Sequence, residues 1–293
     1  MISYNTRDWL SNIFRFHKAD TFRKLLPLIT FVCLYSWLIA YLETEVFKLS
    51  ALSHVKNISL MHNLLGFVIS MLLVFRTNTA YDRWWEGRKL WGSLVNNSRN
   101  FALKLAAIIP GEDEHTISFF RKIIPAYASA LKNHLRHEST RTALFDTKST
   151  SLLGDIDHEK HVPNQIAGLM ITRIIELNKE GKISGDQLII LNSEIQSFTE
   201  ICGGCERIKN TPIPYSYSVF LKKFIFTYIM TLPFGFVFSL GYIVIPVVGF
   251  IFYVLASLEL IAEEIEDPFG GDPNDVPTDK LAENIQIHVH EIL

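Results

Sequence analysis

The sequence has no proline between Pro27 and Pro110, so nothing in that interval forces a helix to end. Cysteine is scarce: Cys33, Cys202 and Cys205 make an odd count with no disulfide framework, and a reducing interior is the simpler setting. Charge of one sign is also lacking. A formal net charge of -2 leaves no basic excess for nucleic acid, so no nucleic-acid partner is expected. There is no Walker A loop, no Gly-x-Gly-x-x-Gly opening a helix after a strand, no Gly-x-Ser-x-Gly elbow and no His-Glu-x-x-His. With neither a nucleophile nor a cofactor cradle, the chain reads as a non-enzyme that calls for no cofactor. Sustained strand alternation and internal repeats are absent too. No cleavable signal pattern is present. The first apolar run follows Arg23-Lys24 and is long enough to stay in a membrane.

What is there is apolar. Hydrophobic residues make up 48% of the 293, yet charged residues still reach 20%, which points to membrane segments joined to a water-facing part. We expect an all-α, polytopic membrane protein, its residues 1–293 forming one subunit. Transmembrane helices are predicted at about 25–42, 58–75, 224–240 and 244–261, each near the length that spans a hydrocarbon core. Trp37 and Tyr41 sit toward the far end of the first run, where amphipathic rings favour the headgroup level. Arg and Lys flank the near ends, which by the positive-inside bias face the cytoplasm. Both termini are then cytoplasmic, and the loop Glu43–Lys56 is outside. Trp9 and Phe14 mark a short interfacial helix. Pro233 is expected to kink the third span, and Gly241 to turn it into the fourth.

Residues 76–222 and 262–293 contain no further span and read as a cytoplasmic helical region. Amphipathic helices fit at roughly 93–109, 113–136, 163–180 and 185–207, with a last one near Thr278–Leu293. Pro110-Gly111 and Gly181-Lys182 separate them, and the stretch from Thr140 to Val162 reads as a mobile loop.

One stretch organises the rest: Leu60 to Trp91 starts as an apolar helix and turns polar without a break. It reads as a single helix leaving a membrane and continuing into water. Phe67, Met71 and Phe75 lie on one face at i, i+4 and i+8. Such a row packs against a neighbouring helix or lines an apolar pore constriction, and periodicity alone favours packing. Arg83, Trp84, Trp85 and Arg88 read as architectural, the arginines pairing with acids such as Asp82 or Glu86. Cys202-Gly203-Gly204-Cys205 has the CxxC spacing but lacks the βαβ context of a redox pair and the further ligands of a zinc site. The 10 histidines show no obvious ligand cluster and read as surface residues.

Three segments carry a family resemblance. Arg76-Thr77-Asn78-Thr79-Ala80-Tyr81-Asp82-Arg83-Trp84-Trp85-Glu86-Gly87-Arg88-Lys89-Leu90-Trp91 resembles a segment of bacterial bestrophin homologues. Gly204-Cys205-Glu206-Arg207-Ile208-Lys209-Asn210-Thr211-Pro212-Ile213-Pro214 and Glu263-Glu264-Ile265-Glu266-Asp267-Pro268-Phe269-Gly270 follow in family order and spacing. The resemblance covers about residues 5–290. It implies a homopentameric chloride or anion channel in the bacterial inner membrane. Its partners are then further copies of itself, the lipid bilayer and small inorganic ions, and its second transmembrane helix lines the pore. The family's neck positions fall on Phe67, Met71 and Phe75, and its cytoplasmic aperture falls on Asp186. An acidic aperture favours cations, so Asp186 is expected to shift permeation toward them; the plainer reading is that Asp186 N-caps the helix beginning Gln187. Animal bestrophins carry an acidic cluster after their Asn-Pro-Phe-Gly motif. Here Asp272 and Asp275 match two of its positions while Gly271, Pro273 and Asn274 replace others, leaving at most a weak calcium site, and otherwise a solvated turn. From another class, the alternative is a non-conducting membrane scaffold or sensor with a partner-binding cytoplasmic region.

Overall fold

In the computed structural model, which describes residues 21–48, 58–111, 113–136, 156–157 and 159–293, every regular element is helical. The interfacial helix around Trp9 and Phe14, most of the Thr140–Val162 loop and much of the Glu43–Lys56 loop lie outside the described residues. The elements are α1 (Thr21–Tyr41) with a π-helical extension (Leu42–Val46), α2 (Ile58–Ile108), α3 (Glu114–Arg136), α4 (Val162–Lys179), α5 (Gly185–Asn210), α6 (Tyr215–Leu240), a 3₁₀ turn (Gly241–Ile243), α7 (Val244–Glu266) and α8 (Thr278–Ile292).

They form two compact units. The apolar unit takes the described residues up to Arg83 together with Pro212–Glu266; the amphipathic unit takes the described residues from Trp84 to Thr211 together with Asp267–Leu293. Helix α2 belongs to both. It runs 51 residues without interruption, as the proline-free sequence predicts.

In the apolar unit, α1 packs on α7, and α6 packs on α7 and α1. Val32, Ile69, Leu73, Leu221, Ile225, Ile229, Val248 and Phe252 make its core. Gly241 has φ 53°, a left-handed backbone that glycine adopts without a steric penalty, and it separates α6 from α7. At Gly249 a Cβ would lie 2.7 Å from Cys33 Sγ, so the missing side chain lets α1 and α7 approach. Helix α6 begins at Tyr215, earlier than the apolar run alone indicates, because the Pro212-Ile213-Pro214 break already separates it from α5. The helical assignment runs through Pro233. Among the described residues three helical stretches are long and apolar enough to cross a membrane: Thr21–Val46, Leu60–Ile108 and Tyr215–Glu266, the last being α6 and α7 together.

The amphipathic unit is built from the later part of α2 with α3, α4, α5 and α8. Here α8 packs on α3, and α4 packs on α5 and α3. Phe101 sits between Phe120 and Phe198, edge to face at 5.6 and 5.9 Å between ring centroids. Trp91, Tyr127, Leu105 and Phe269 complete this core. Its ends are fixed by polar groups. Asp113 precedes α3, and its carboxylate accepts from the Thr116 N–H, the Thr116 hydroxyl and Lys182 Nζ. These bonds, led by that from Lys182, hold its carboxyl down at about 2 despite partial burial.

Candidate functional site: an apolar helix face and its anchor

The first part of α2 has two unlike faces. His62, Ile69, Leu73, Arg76 and Ala80 are buried in the apolar unit. On the other side Phe67 is 69% exposed, Met71 49% and Phe75 54%. Leu60, Leu64 and Val74 are exposed as well. The three predicted neck residues therefore take no part in the core of their own chain. They leave a continuous apolar stripe on a helix otherwise fixed in place.

The fixing is polar and lies on the buried side. Tyr217 Oη donates to Leu72 O at 3.0 Å. His62 Nε2 stands 3.0 Å from Thr231 Oγ1. Arg76, only 2% exposed, donates from Nη2 to Glu266 Oε2 at 2.6 Å, and its Nε lies 3.6 Å from Glu259 Oε2. Glu266 Oε1 accepts the Ile213 N–H at 2.7 Å, and the Glu266 carbonyl accepts from Arg83 Nε at 3.0 Å. One glutamate at the end of α7 thus joins α2 to the Pro212-Ile213-Pro214 turn before α6. A buried guanidinium needs such partners, since an unpaired charge there is costly.

The Arg/Trp set differs in detail from expectation. Arg83 bonds the Glu266 carbonyl. Glu86 pairs with Arg207, which the sequence does not disclose. Arg88 lies over Trp84 and Trp85 at 5.6 and 6.0 Å. Trp84 Nε1 donates to Asn274 O at 2.9 Å.

At Asp186 the structure overturns the capping reading. The N-cap of α5 is Ser184, whose Oγ accepts from Gln187 N at 3.2 Å while Gln187 Oε1 accepts from Ser184 N at 2.8 Å. This reciprocal box uses the Ser-x-x-Gln pattern, a signal the sequence carried. Asp186 is instead an exposed acid in the first turn, where the helix dipole favours negative charge. Beside it Ile189 and Ile190 are exposed.

The acidic tail is not a wholly solvated turn. Asp272 is exposed, but Asp275 is buried, its Oδ2 accepting from Asp272 N at 2.7 Å. Burial pushes the Asp275 carboxyl up to about 7. Its Oδ1 is buried without a hydrogen-bond partner, an open acceptor for a cation. Two carboxylates, one of them exposed, fall short of the six to eight oxygens calcium prefers. The residues fit that ion poorly, and no step is assigned to it.

Cys202 and Cys205 are free and buried in α5. Burial first, then the Glu206 charge, raises the Cys202 thiol, and burial raises Cys205 as well. Neither is a ready thiolate, which removes the support for redox chemistry. The sequence reading of the histidines is incomplete. His134 and His161 both meet Glu206 Oε1, at 2.7 and 2.6 Å. Partial burial pushes the Glu206 carboxyl up, but these two bonds outweigh it and hold it below its usual range. The three come from α3, the N-cap of α4 and α5, too far apart in sequence for any spacing rule.

Comparison with known proteins identifies the family. Residues 1–291 match the family model described as bacterial/fungal bestrophin protein. A voltage-dependent anion channel-forming protein of Nostoc sp. is 37% identical over 78% of this chain and 75% of its own length. The protein YneE of Escherichia coli K12, also named a voltage-dependent anion channel-forming protein, is 30% identical over 98% of this chain and 92% of its own. A crystal structure of a bacterial bestrophin homologue from Klebsiella pneumoniae, carrying one mutation, superposes with a TM-score of 0.81 at 26% identity, covering 92% of this chain and 98% of that one. The chain belongs to the bestrophin family, in its bacterial and fungal branch.

Proposed function

We propose that this chain is one subunit of a homopentameric, passive anion channel of the bacterial inner membrane. Four crossings, by α1, the first part of α2, α6 and α7, leave both termini cytoplasmic. Phe67, Met71 and Phe75 from each subunit form the apolar neck of a central pore, and Asp186 rings a cytoplasmic aperture. The observation that carries this reading is the exposed stripe on α2, opposite a face tied down by Arg76, Tyr217 and Glu266. A stripe held that firmly yet unused by its own chain suits a symmetric axis, to which each subunit gives one helix. The relatives named as anion channel-forming support the ion class.

Three stacked apolar rings, at Phe67, Met71 and Phe75, span about 12 Å along the axis at about 1.5 Å per residue. A dry segment of that length limits conductance by resisting wetting. Asp186 then tempers anion preference: one carboxylate per subunit near a narrow axis attracts cations, with a reach of about 8 Å at physiological salt. No residue undergoes covalent change, so the protein supplies only shape, dielectric and fixed charge.

The test is reconstitution in liposomes under a chloride gradient, read as a reversal potential. The proposal expects a passive current reversing on the chloride side of zero. Tight, non-conducting vesicles with correctly assembled protein would favour the scaffold or sensor reading instead.

A further inference from the structure

We infer that His134, His161 and Glu206 form a binding site for a divalent transition-metal ion of the zinc class. Each offers one ligand atom, and the three atoms lie within 4.8 Å of one another. Among the described residues this is the one such grouping of three. The site stands apart from the apolar stripe and from Asp186, and it does not depend on the conduction proposal.

The donor set selects the ion. Two imidazole nitrogens and one carboxylate oxygen suit zinc and its neighbours, whereas calcium and magnesium prefer oxygen alone. The geometry is convergent. Both Nε2 atoms meet the same oxygen, Glu206 Oε1, and the two rings stand 4.4 Å apart between centroids. Around a tetrahedral ion with bonds of about 2.0–2.1 Å, ligand atoms stand roughly 3.3 Å from one another. The present N···O separations of 2.6 and 2.7 Å need open by less than about 1 Å to admit it. Side chains 30–33% exposed leave a face for a water ligand and a path from solvent.

Asn164 N donates to His161 Nδ1, so the ring proton sits on Nε2 and is given to Glu206. On metal binding Nε2 supplies its lone pair, the proton moves to Nδ1 by exchange with solvent, and the Asn164 capping bond is released. The buried Cys202 thiol is not needed as a ligand. Bound metal ties the last turn of α3 and the N-cap of α4 to α5.

The experiment uses the full chain in detergent, stripped with a chelator and titrated with zinc chloride against a chromophoric competitor. A parallel titration with cobalt(II) reads visible absorption. The expected result is one tight zinc ion per chain and the intense bands of a tetrahedral cobalt site. Affinity should fall at least tenfold in Glu206→Gln and His134→Ala and stay unchanged in His115→Ala and His290→Ala, which remove exposed histidines elsewhere. If His134→Ala does not fold, the near-isosteric Glu206→Gln decides. Equal affinity in wild type and Glu206→Gln, or binding that follows His115 or His290, means adventitious surface metal only and overturns the site.

Discussion

Helix α2 is one secondary-structure element with two opposite solutions to the hydrophobic effect. From Leu60 to Phe75 most of its large apolar side chains lie outside: Leu60, Leu64, Phe67, Met71 and Phe75 are exposed, while Ile69, Leu73 and the charged Arg76 are buried. From Trp91 onward the order reverses. Trp91, Leu94, Phe101 and Leu105 are buried, and Leu103 is the exposed exception among the large ones. Water cannot be the solvent on both stretches, because an exposed row of that size is unfavourable in water and neutral in lipid or an apolar interface. The difference shows that burial inside the chain is a measure of fold only where water surrounds it.

The largest test of this contrast is to cut the same atoms from each stretch. Phe101→Ala removes a ring at the centre of the amphipathic core and should destabilise that unit by about 3–5 kcal/mol. Phe67→Ala should change stability by less than about 1 kcal/mol, since its ring touches no core of its own chain. Thermal loss of monodisperse oligomer in detergent, scanned for both variants, gives the comparison. Equal losses would break it.

Of similar size is the anchor. Arg76→Ala leaves Glu259 and Glu266 without their cation in a buried setting, a loss of about 3–5 kcal/mol, whereas Arg76→Met with Glu266→Gln should recover part of it. The same thermal scan reads both.

How far these features were legible follows the same divide. In the amphipathic unit, helix limits were readable because breakers coincide with them. Pro110-Gly111 precedes α3, Gly181 at φ 71° follows α4, and Pro277 precedes α8. The stripe Phe67, Met71, Phe75 was readable as a face but not as packed or unpacked, since periodicity carries no information about what lies opposite. The Ser184 cap is legible as Ser-x-x-Gln, a fuller signal than the lone carboxylate of Asp186. The His134, His161 and Glu206 meeting was not readable at all, because it is made by the packing of α3, α4 and α5 rather than by any local spacing. The pairing of Arg83 with a backbone carbonyl was hidden for the same reason.

Smaller effects sharpen the water-facing side. Asp113→Asn should cost about 1 kcal/mol near neutral pH as the α3 cap and the Lys182 bond weaken. The folded carboxyl sits at about 2, below its ordinary 3.8, so the wild-type advantage is full above about pH 4 and is lost as pH falls toward 2. Thermal unfolding temperatures of the two proteins should therefore converge as pH falls toward 2. A constant gap down to pH 2 would mean that the cap works without its charge.

Smallest in stability, but visible in transport, are the two acidic positions. Asp186→Asn leaves the Ser184–Gln187 box intact and should raise the chloride-to-sodium permeability ratio. An unchanged ratio removes Asp186 from the ion path. Conduction should persist with a strong chelator present, because Asp272 and Asp275 make a thin calcium site; loss on chelation and recovery with calcium would reverse that assignment.

The most direct measurement is the chloride flux of the Phe67→Ala, Met71→Ala, Phe75→Ala triple variant against wild type, in liposomes holding equal numbers of assembled oligomers. If the exposed face of α2 is a pore neck, flux rises severalfold while thermal stability stays within about 1 kcal/mol of wild type. Unchanged flux from a well-assembled variant would show that the stripe faces lipid or another subunit and that ions pass elsewhere.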